Sequence, residues 1–154
     1  MENLQNTLPL KKGWEFQKFV ENVLLPYPIY SVDHRTSYYE ESPTLKDRLP
    51  DYIFRPNYAK KKRFAVECKY RSNLILQNDI VKPHILKRYF EYKEKEGIPV
   101  FIVLGVGNLP SNPDSLYIFP LENGAVFPMM YKDHIQKFER ANKGVLVFDE
   151  DKLF

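Results

Sequence analysis

Pro50-Asp51 and, sixteen residues further on, Glu67-Cys68-Lys69 bring two carboxylates and one amine into a single short stretch, PDYIFRPNYAKKKRFAVECK. Two carboxylates offer hard oxygen ligands to Mg²⁺ or Mn²⁺, and Mg²⁺ keeps several waters and takes substrate phosphate at the positions left open. Such an ion neutralises phosphate charge and lowers the pKa of a bound water, while a neighbouring ammonium holds the nucleophile or stabilises the pentacoordinate transition state. These residue types are the minimum set for metal-assisted hydrolysis of a phosphodiester. In that scheme Asp51 and Glu67 are metal ligands and Lys69 is the catalytic amine. Cys68 offers the metal only its backbone carbonyl.

The elements around the stretch must place those groups together. FAVECKY alternates as a strand, with Phe64, Val66, Cys68 and Tyr70 on one face and Ala65, Glu67 and Lys69 on the other. DYIFR reads as a second strand, and PNYAKKK as the hairpin connection between them. If Arg55 pairs near Phe64, Asp51 falls opposite Cys68 and diagonal to Glu67 and Lys69, roughly 5–8 Å away. One divalent ion bridges that gap.

Before the hairpin, WEFQKFVENVLL carries apolar residues at 16, 19, 20, 23 and 24, an amphipathic helix that Pro26 ends. IYSVDHRTS reads as a strand and residues 36–49 as a loop framing the cleft. After the hairpin come a helix over PHILKRYFEYKEKEG, a buried strand over PVFIVLGVG and a strand over SLYIFPL. MMYKDHIQKFER reads as a helix, and VLVFDEDKLF as an edge strand or tail. The order predicts an α/β protein with a central mixed β-sheet between two helical layers, α/β/α.

Pro50-Asp51 followed by Glu67-x-Lys69 resembles the PD-(D/E)xK motif of restriction-endonuclease-like nucleases. The N-terminal half is most similar to archaeal-type Holliday junction resolvases and Mrr-type restriction enzymes. The matching pieces are Lys12-Gly13-Trp14-Glu15-Phe16, IYSVDHRTS, LPDYIF and FAVECKY. The resemblance covers about residues 11–105, so residues 1–154 read as one nuclease-like domain with 106–154 as additions. It implies a restriction-endonuclease-like fold, a Mg²⁺-dependent endonuclease acting on DNA, and a homodimer as the assembly that cuts two strands. Members of these families carry a Glu immediately after the position of Phe16, where this chain has Gln17. Gln17 ligates more weakly than Glu. Glu21, one turn further along the same helical face, is the substitute. Arg35 and Ser37 lie where the resolvases place a Ser near the metal and are candidates for phosphate contact. Gln77 resembles a Gln that some nucleases add after the motif, with a solvated loop Gln as the alternative reading.

Other features set bounds. The chain has 154 residues, is 44% hydrophobic and carries a net charge of +3, enough for one core and too little charge to establish nucleic-acid binding alone. Lys60, Lys61, Lys62 and Arg63 cluster at the hairpin tip and, with Lys11-Lys12 and Lys87-Arg88, would contact phosphates if they share a face. A single cysteine excludes an internal disulfide and suits the cytoplasm. The N-terminus lacks the features of a secretory signal, and no apolar run approaches the roughly 20 residues of a membrane span. His34, His84 and His134 have no companions at zinc-ligand spacing. Two alternatives stand beside the nuclease. One is a catalytically silent member of the same fold that binds nucleic acid or protein; the other is an unrelated α/β module in which Glu-x-Lys only keeps a strand face soluble.

Overall fold

The computed structural model describes residues 4–36, 49–73, 83–126 and 135–154. Among them, strands β1 (Tyr30–Arg35), β2 (Tyr52–Pro56), β3 (Phe64–Arg71), β4 (Val100–Val106) and β5 (Ser115–Pro120) form one sheet in that spatial order. β3 and β4 are parallel and the other neighbours antiparallel. A parallel pair needs a crossover, and the segment between β3 and β4 supplies helix α2 (Pro83–Glu96). Helix α1 (Leu4–Phe19) precedes the sheet, and α3 (Leu121–Val126) follows β5.

Alternation along β3 divides the core into two. Phe64, Val66 and Cys68 join Phe101 and Val103 of β4 under Phe16, Phe19, Val20 and Leu24 from α1 and the turn after it. Ala65 on the other face joins Ile102, Leu104 and Phe119 under Leu86, Tyr89 and Tyr92 of α2 and Leu121 of α3. Helices therefore cover both faces of a mixed sheet, the α/β/α order expected from the sequence.

The hairpin register differs from the expected one by a residue. Phe54 pairs with Phe64, Ile53 with Ala65 and Tyr52 with Val66. Pairing Arg55 with Phe64 would have turned a guanidinium toward the aromatic core, because a one-residue slip exchanges the faces. Instead Phe54 stacks on Phe64 at 5.8 Å between ring centroids. Continued one step past Tyr52, this register sets Asp51 across from Glu67, not Cys68. The hairpin lies inside the sheet, its strands second and third of five.

α1 begins at Leu4, two turns before Lys12, and its continuation Val20–Leu24 is a π turn closed by Leu25 N donating to Val20 O at 2.9 Å. The extra residue in that turn rotates the apolar stripe. Leu25 is buried, and Val23, expected in the core, is exposed. The last segment is neither a strand of the main sheet nor a tail. It is a hairpin of β6 (Phe148–Asp149) and β7 (Lys152–Leu153) turned by Glu150 and Asp151, both at positive φ, the conformation of a type I′ turn. Of the helix expected over 129–140, residues 129–134 lie outside the described residues, and Gln136–Phe138 is a single 3₁₀ turn. The loop expected over 36–49 also lies outside, apart from Thr36 and Leu49.

α1 is seated by a glycine. A Cβ on Gly105 would stand 2.4 Å from the ring of Phe16, so the helix reaches β4 only because that position has no side chain. Gly105→Ala is expected to cost about 1–3 kcal/mol by overpacking, read as a lower urea midpoint with unchanged m-value. Unchanged stability would show that α1 does not depend on this contact.

Candidate active site

The site arises where β2 stops and β3 continues. Ala65 N donates to Pro99 O beside β4 at 2.9 Å, so the amides of alternate residues 66 and 68 point toward β2. Val66 has Tyr52 as its partner, but Cys68 lies beyond the paired residues. The Asp51 carboxylate takes the place of the missing strand, with Oδ2 accepting the Cys68 N–H at 2.8 Å. Asp51 N in turn donates to Glu67 Oε2 at 3.1 Å, and Lys69 Nζ lies 3.0 Å from Glu67 Oε1. Gln17, reaching over from α1, donates through Nε2 to Asp51 Oδ1 at 3.3 Å. The structure thus gathers Asp51, Glu67, Lys69 and Gln17 into one hydrogen-bonded cluster.

Two supports hold it. Tyr52 donates its hydroxyl to Gln17 O at 3.2 Å, tying the hairpin to α1 one residue from Asp51. Thr36 is buried, donates Oγ1 to Pro50 O at 2.9 Å and its N–H to Asp51 O at 2.8 Å, and so fixes the Pro50-Asp51 backbone from the end of β1. Sequence reasoning passed over Thr36. Its only signal was its place in a Thr-Ser pair, since the contact partners lie fourteen and fifteen residues away.

The other candidates are placed differently. Glu21 is engaged by Arg35, whose Nε donates to Oε2 at 3.0 Å and whose Nη2 meets Oε1. That ion pair occupies both groups beside the cluster, so Arg35 is not held out toward a substrate. Ser37 and Gln77 lie outside the described residues. Lys60, Lys61, Lys62 and Arg63 are all exposed. Arg63, just before β3, is four residues from Glu67, roughly 13 Å. α1 with Lys11-Lys12 and α2 with Lys87-Arg88 cover opposite faces of the sheet, so these two pairs do not meet the condition of sharing one face.

Glu67 is 4% exposed and Gln17 8%, while Asp51 is only partly buried and the Lys69 side chain keeps 22% of its surface. The cluster is therefore recessed but open on the Asp51 and Lys69 side. Burial first, and the Glu67 charge second, push the Asp51 carboxyl well above its ordinary value. The Cys68 amide and the Lys69 ammonium oppose that shift without cancelling it. The charges of Glu67 and Asp51 raise Lys69, so it stays an ammonium at neutral pH. Burial pushes the Cys68 thiol well up, and it is no nucleophile.

Among the described residues, no group of three His, Cys, Asp or Glu side chains could by itself hold a metal ion. A cage of protein ligands is thus not formed by these residues. A hard cation that retains waters needs only one or two carboxylates. Asp51 and Glu67 meet that need, with two further neutral oxygens at hand. The Cys68 carbonyl points to the same side of β3 as its amide, and the Gln17 amide oxygen is the second. When Asp51 is ionised, two carboxylates face one ammonium in the cluster. The donor set fits Mg²⁺ or Mn²⁺.

No protein-family model and no curated protein matches this sequence. Twelve solved chains match the structure. One is Hjc, a Holliday junction resolvase from the archaeal hyperthermophile Archaeoglobus fulgidus, at 13% identity and a TM-score of 0.49, with 71% of this chain and 80% of that one covered. Among the described residues no helix is long and apolar enough to cross a membrane.

The raised Asp51 carboxyl has a pH signature. The folded state holds the Asp51 proton to a higher pH than the unfolded chain, which ionises near 4, so stability falls as pH rises from there through the folded value. In chelator, Asp51→Asn should therefore gain on the parent as pH rises and be at least as stable at pH 8. Urea midpoints at pH 4, 6 and 8 read this. A deficit of equal size at every pH would show that Asp51 acts only through its hydrogen bonds.

Proposed function

We propose that this chain is a Mg²⁺-dependent nuclease acting on DNA, a reading that agrees with its resemblance to PD-(D/E)xK nucleases of the restriction-endonuclease-like class. The observation that carries it is the convergence of Asp51, Glu67 and Lys69 in a recess open on one side. Asp51 and Glu67 would hold the cation with the Cys68 carbonyl, and Gln17 would be the auxiliary ligand in place of an acid. When bound, the cation supplies charge neutralisation at the phosphate and a more acidic water.

The remaining steps belong to the chain. Lys69 spends one of its protons on Glu67 and has two more for phosphate oxygens. Because its neighbours keep it charged, it acts as an electrostatic stabiliser and not as a general base. Tyr52 and Thr36 hold Asp51 in place. Lys60, Lys61, Lys62 and Arg63 would neutralise phosphates flanking the scissile bond, since about 13 Å is roughly four nucleotides of rise along the duplex axis.

The second reading, a silent member of the same fold that binds nucleic acid or protein, is favoured by one observation. Each of the four carboxylate oxygens of Asp51 and Glu67 already has a partner within the chain, and Gln17 brings no charge. Divalent-ion binding separates the two. An ion that binds only the folded state raises the melting temperature, so millimolar Mg²⁺ or Mn²⁺ raises it for the nuclease and leaves it unchanged for the silent fold.

The activity test uses purified protein on plasmid, single-stranded and four-way-junction DNA, with Mg²⁺ or Mn²⁺ against chelator. Glu67→Gln deletes a ligand charge and Lys69→Met the ammonium, and each is expected to lower cleavage by about 10²–10³-fold. Lys60→Ala with Lys61→Ala should leave the chemistry in place, weaken DNA binding and flatten its logarithmic salt slope by about 2. Cleavage that survives both Glu67→Gln and Lys69→Met, in protein free of contaminating nuclease, overturns the assignment of the site.

Gln17→Glu sharpens the test. It replaces the donor to Asp51 Oδ1 with a third carboxylate, so it should lower the melting temperature in chelator and enlarge the rise on adding Mg²⁺. Absence of both changes would place Gln17 outside the cation's reach.

A further inference from the structure

Tyr58 is 57% exposed, yet its hydroxyl is turned inward. Tyr58 Oη donates to Phe148 O at 2.8 Å, accepts from Phe148 N at 3.1 Å and lies 3.1 Å from Tyr30 Oη. An exposed tyrosine ordinarily keeps its polar tip in water and its apolar body against the protein. Here the order is reversed, and the ring is what solvent meets. Tyr30 touches that ring edge-on, with centroids 5.9 Å apart and the planes at 71°, which fixes it without stacking on it. Asn57 brings a second ring to the same place. Its N donates to Ile29 O at 2.9 Å and its Nδ2 to Pro28 O at 2.6 Å, while Ser31 Oγ donates to Asn57 Oδ1 at 2.9 Å. These bonds tie the start of the hairpin connection to the loop before β1. Tyr27, directly before Pro28, is 81% exposed. Two tyrosines therefore flank one bonded junction, and the exposed Lys60, Lys61, Lys62 and Arg63 follow Tyr58 within five residues.

Exposed rings beside a run of cations have a chemical complement, a chain of flat π-faces joined by phosphates. We propose that Tyr58 and Tyr27 are stacking platforms for the unpaired bases of single-stranded DNA, whose phosphates follow Lys60, Lys61 and Arg63. This assignment rests on the DNA reading above and specifies its substrate. In a duplex each base is already stacked on its neighbours and shows a protein only its edges in the grooves. A single strand can lay a base on each ring, a contact open to every base because every base has a π-face. A ring already held by its hydroxyl loses little further freedom on binding, so less of the contact is spent on ordering. The acids of the C-terminal hairpin set the path of the strand. Asp149 follows Phe148, at the hydroxyl end of Tyr58, and with Glu150 and Asp151 it disfavours phosphate there. Lys62 is engaged with Asp151 at 3.9 Å. The strand is left the side of Lys60, Lys61 and Arg63, and Arg63 stands at the start of β3, which carries Glu67.

Fluorescence anisotropy of labelled DNA with the full chain in chelator tests this apart from cleavage. The parent should bind an oligothymidylate of about 12 nucleotides about 10-fold more tightly than a strand of abasic sites of the same length, and more tightly than the matching duplex. Tyr58→Leu and Tyr27→Ala should each lower single-strand affinity by about 10-fold, with duplex affinity, salt slope and circular dichroism unchanged. Tyr58→Phe keeps the ring and should keep most of the affinity. Should Tyr58→Leu fail to fold, Tyr27→Ala carries the test, since most of that side chain is in solvent. Lys60→Ala with Lys61→Ala should instead weaken single strand and duplex alike and flatten the salt slope. Equal binding of base-bearing and abasic strands, or single-strand binding indifferent to both tyrosine variants, overturns the proposal and leaves the DNA reading standing. A parent that binds no DNA removes both. Self-association of the parent that Tyr27→Ala abolishes, without any preference for bases, overturns the proposal and assigns the face to protein.

Discussion

The register of one hairpin governs the rest of this structure. Phe54 and Phe64 stack within the aromatic core beneath α1, and because side chains alternate along a strand, that pair fixes the face of every other residue on β2 and β3. It turns Ala65 and Glu67 away from the aromatic layer, and it ends the pairing at Tyr52. One residue of slippage would send Arg55 into the core and leave Asp51 unable to cap the Cys68 amide while its own amide meets Glu67. The aromatic layer is thus the reason the polar cluster exists.

The cluster itself is finely balanced. Taking two carboxylates out of water is costly, and one ammonium recovers only part of that cost. The structure compensates by giving each oxygen a donor: two backbone amides, one side-chain amide and one ammonium. The Asp51 carboxyl is nevertheless pushed upward, burial being the larger cause. A cluster that needed only to be stable would be better served by an apolar pair. Keeping two acids at this position is a stability cost that these hydrogen bonds offset only in part.

Much of this was legible in the sequence because the signals were local. Alternation in FAVECKY gave both core faces, and the apolar run over PVFIVLGVG gave the interior strand. Asp51, Glu67 and Lys69 were legible because strand pairing turns sequence spacing into distance. The register was not, since PNYAKKK admits more than one turn and only the stacking of Phe54 on Phe64 decides among them. The π turn escaped too, because the stripe at 16, 19, 20, 23 and 24 fits an ordinary helix up to the residue where the extra one is inserted. The ion pair of Glu21 with Arg35 and the Thr36 supports depend on tertiary proximity that periodicity does not encode.

α1 couples the two halves of this account. It reaches β4 only because Gly105 has no side chain, and once seated it delivers Gln17 to Asp51 while Tyr52 holds its backbone from below. Packing on one face of the sheet thereby sets the polarity of a site assembled at the end of β2. A shift of α1 by a few tenths of an ångström would break the Gln17 contact, already long at 3.3 Å, before it disturbed the hydrophobic core. The strands fix the two acids, and the helix decides what stands beside them. A substitution at position 17 on α1 therefore changes what stands beside Asp51 without touching the sheet.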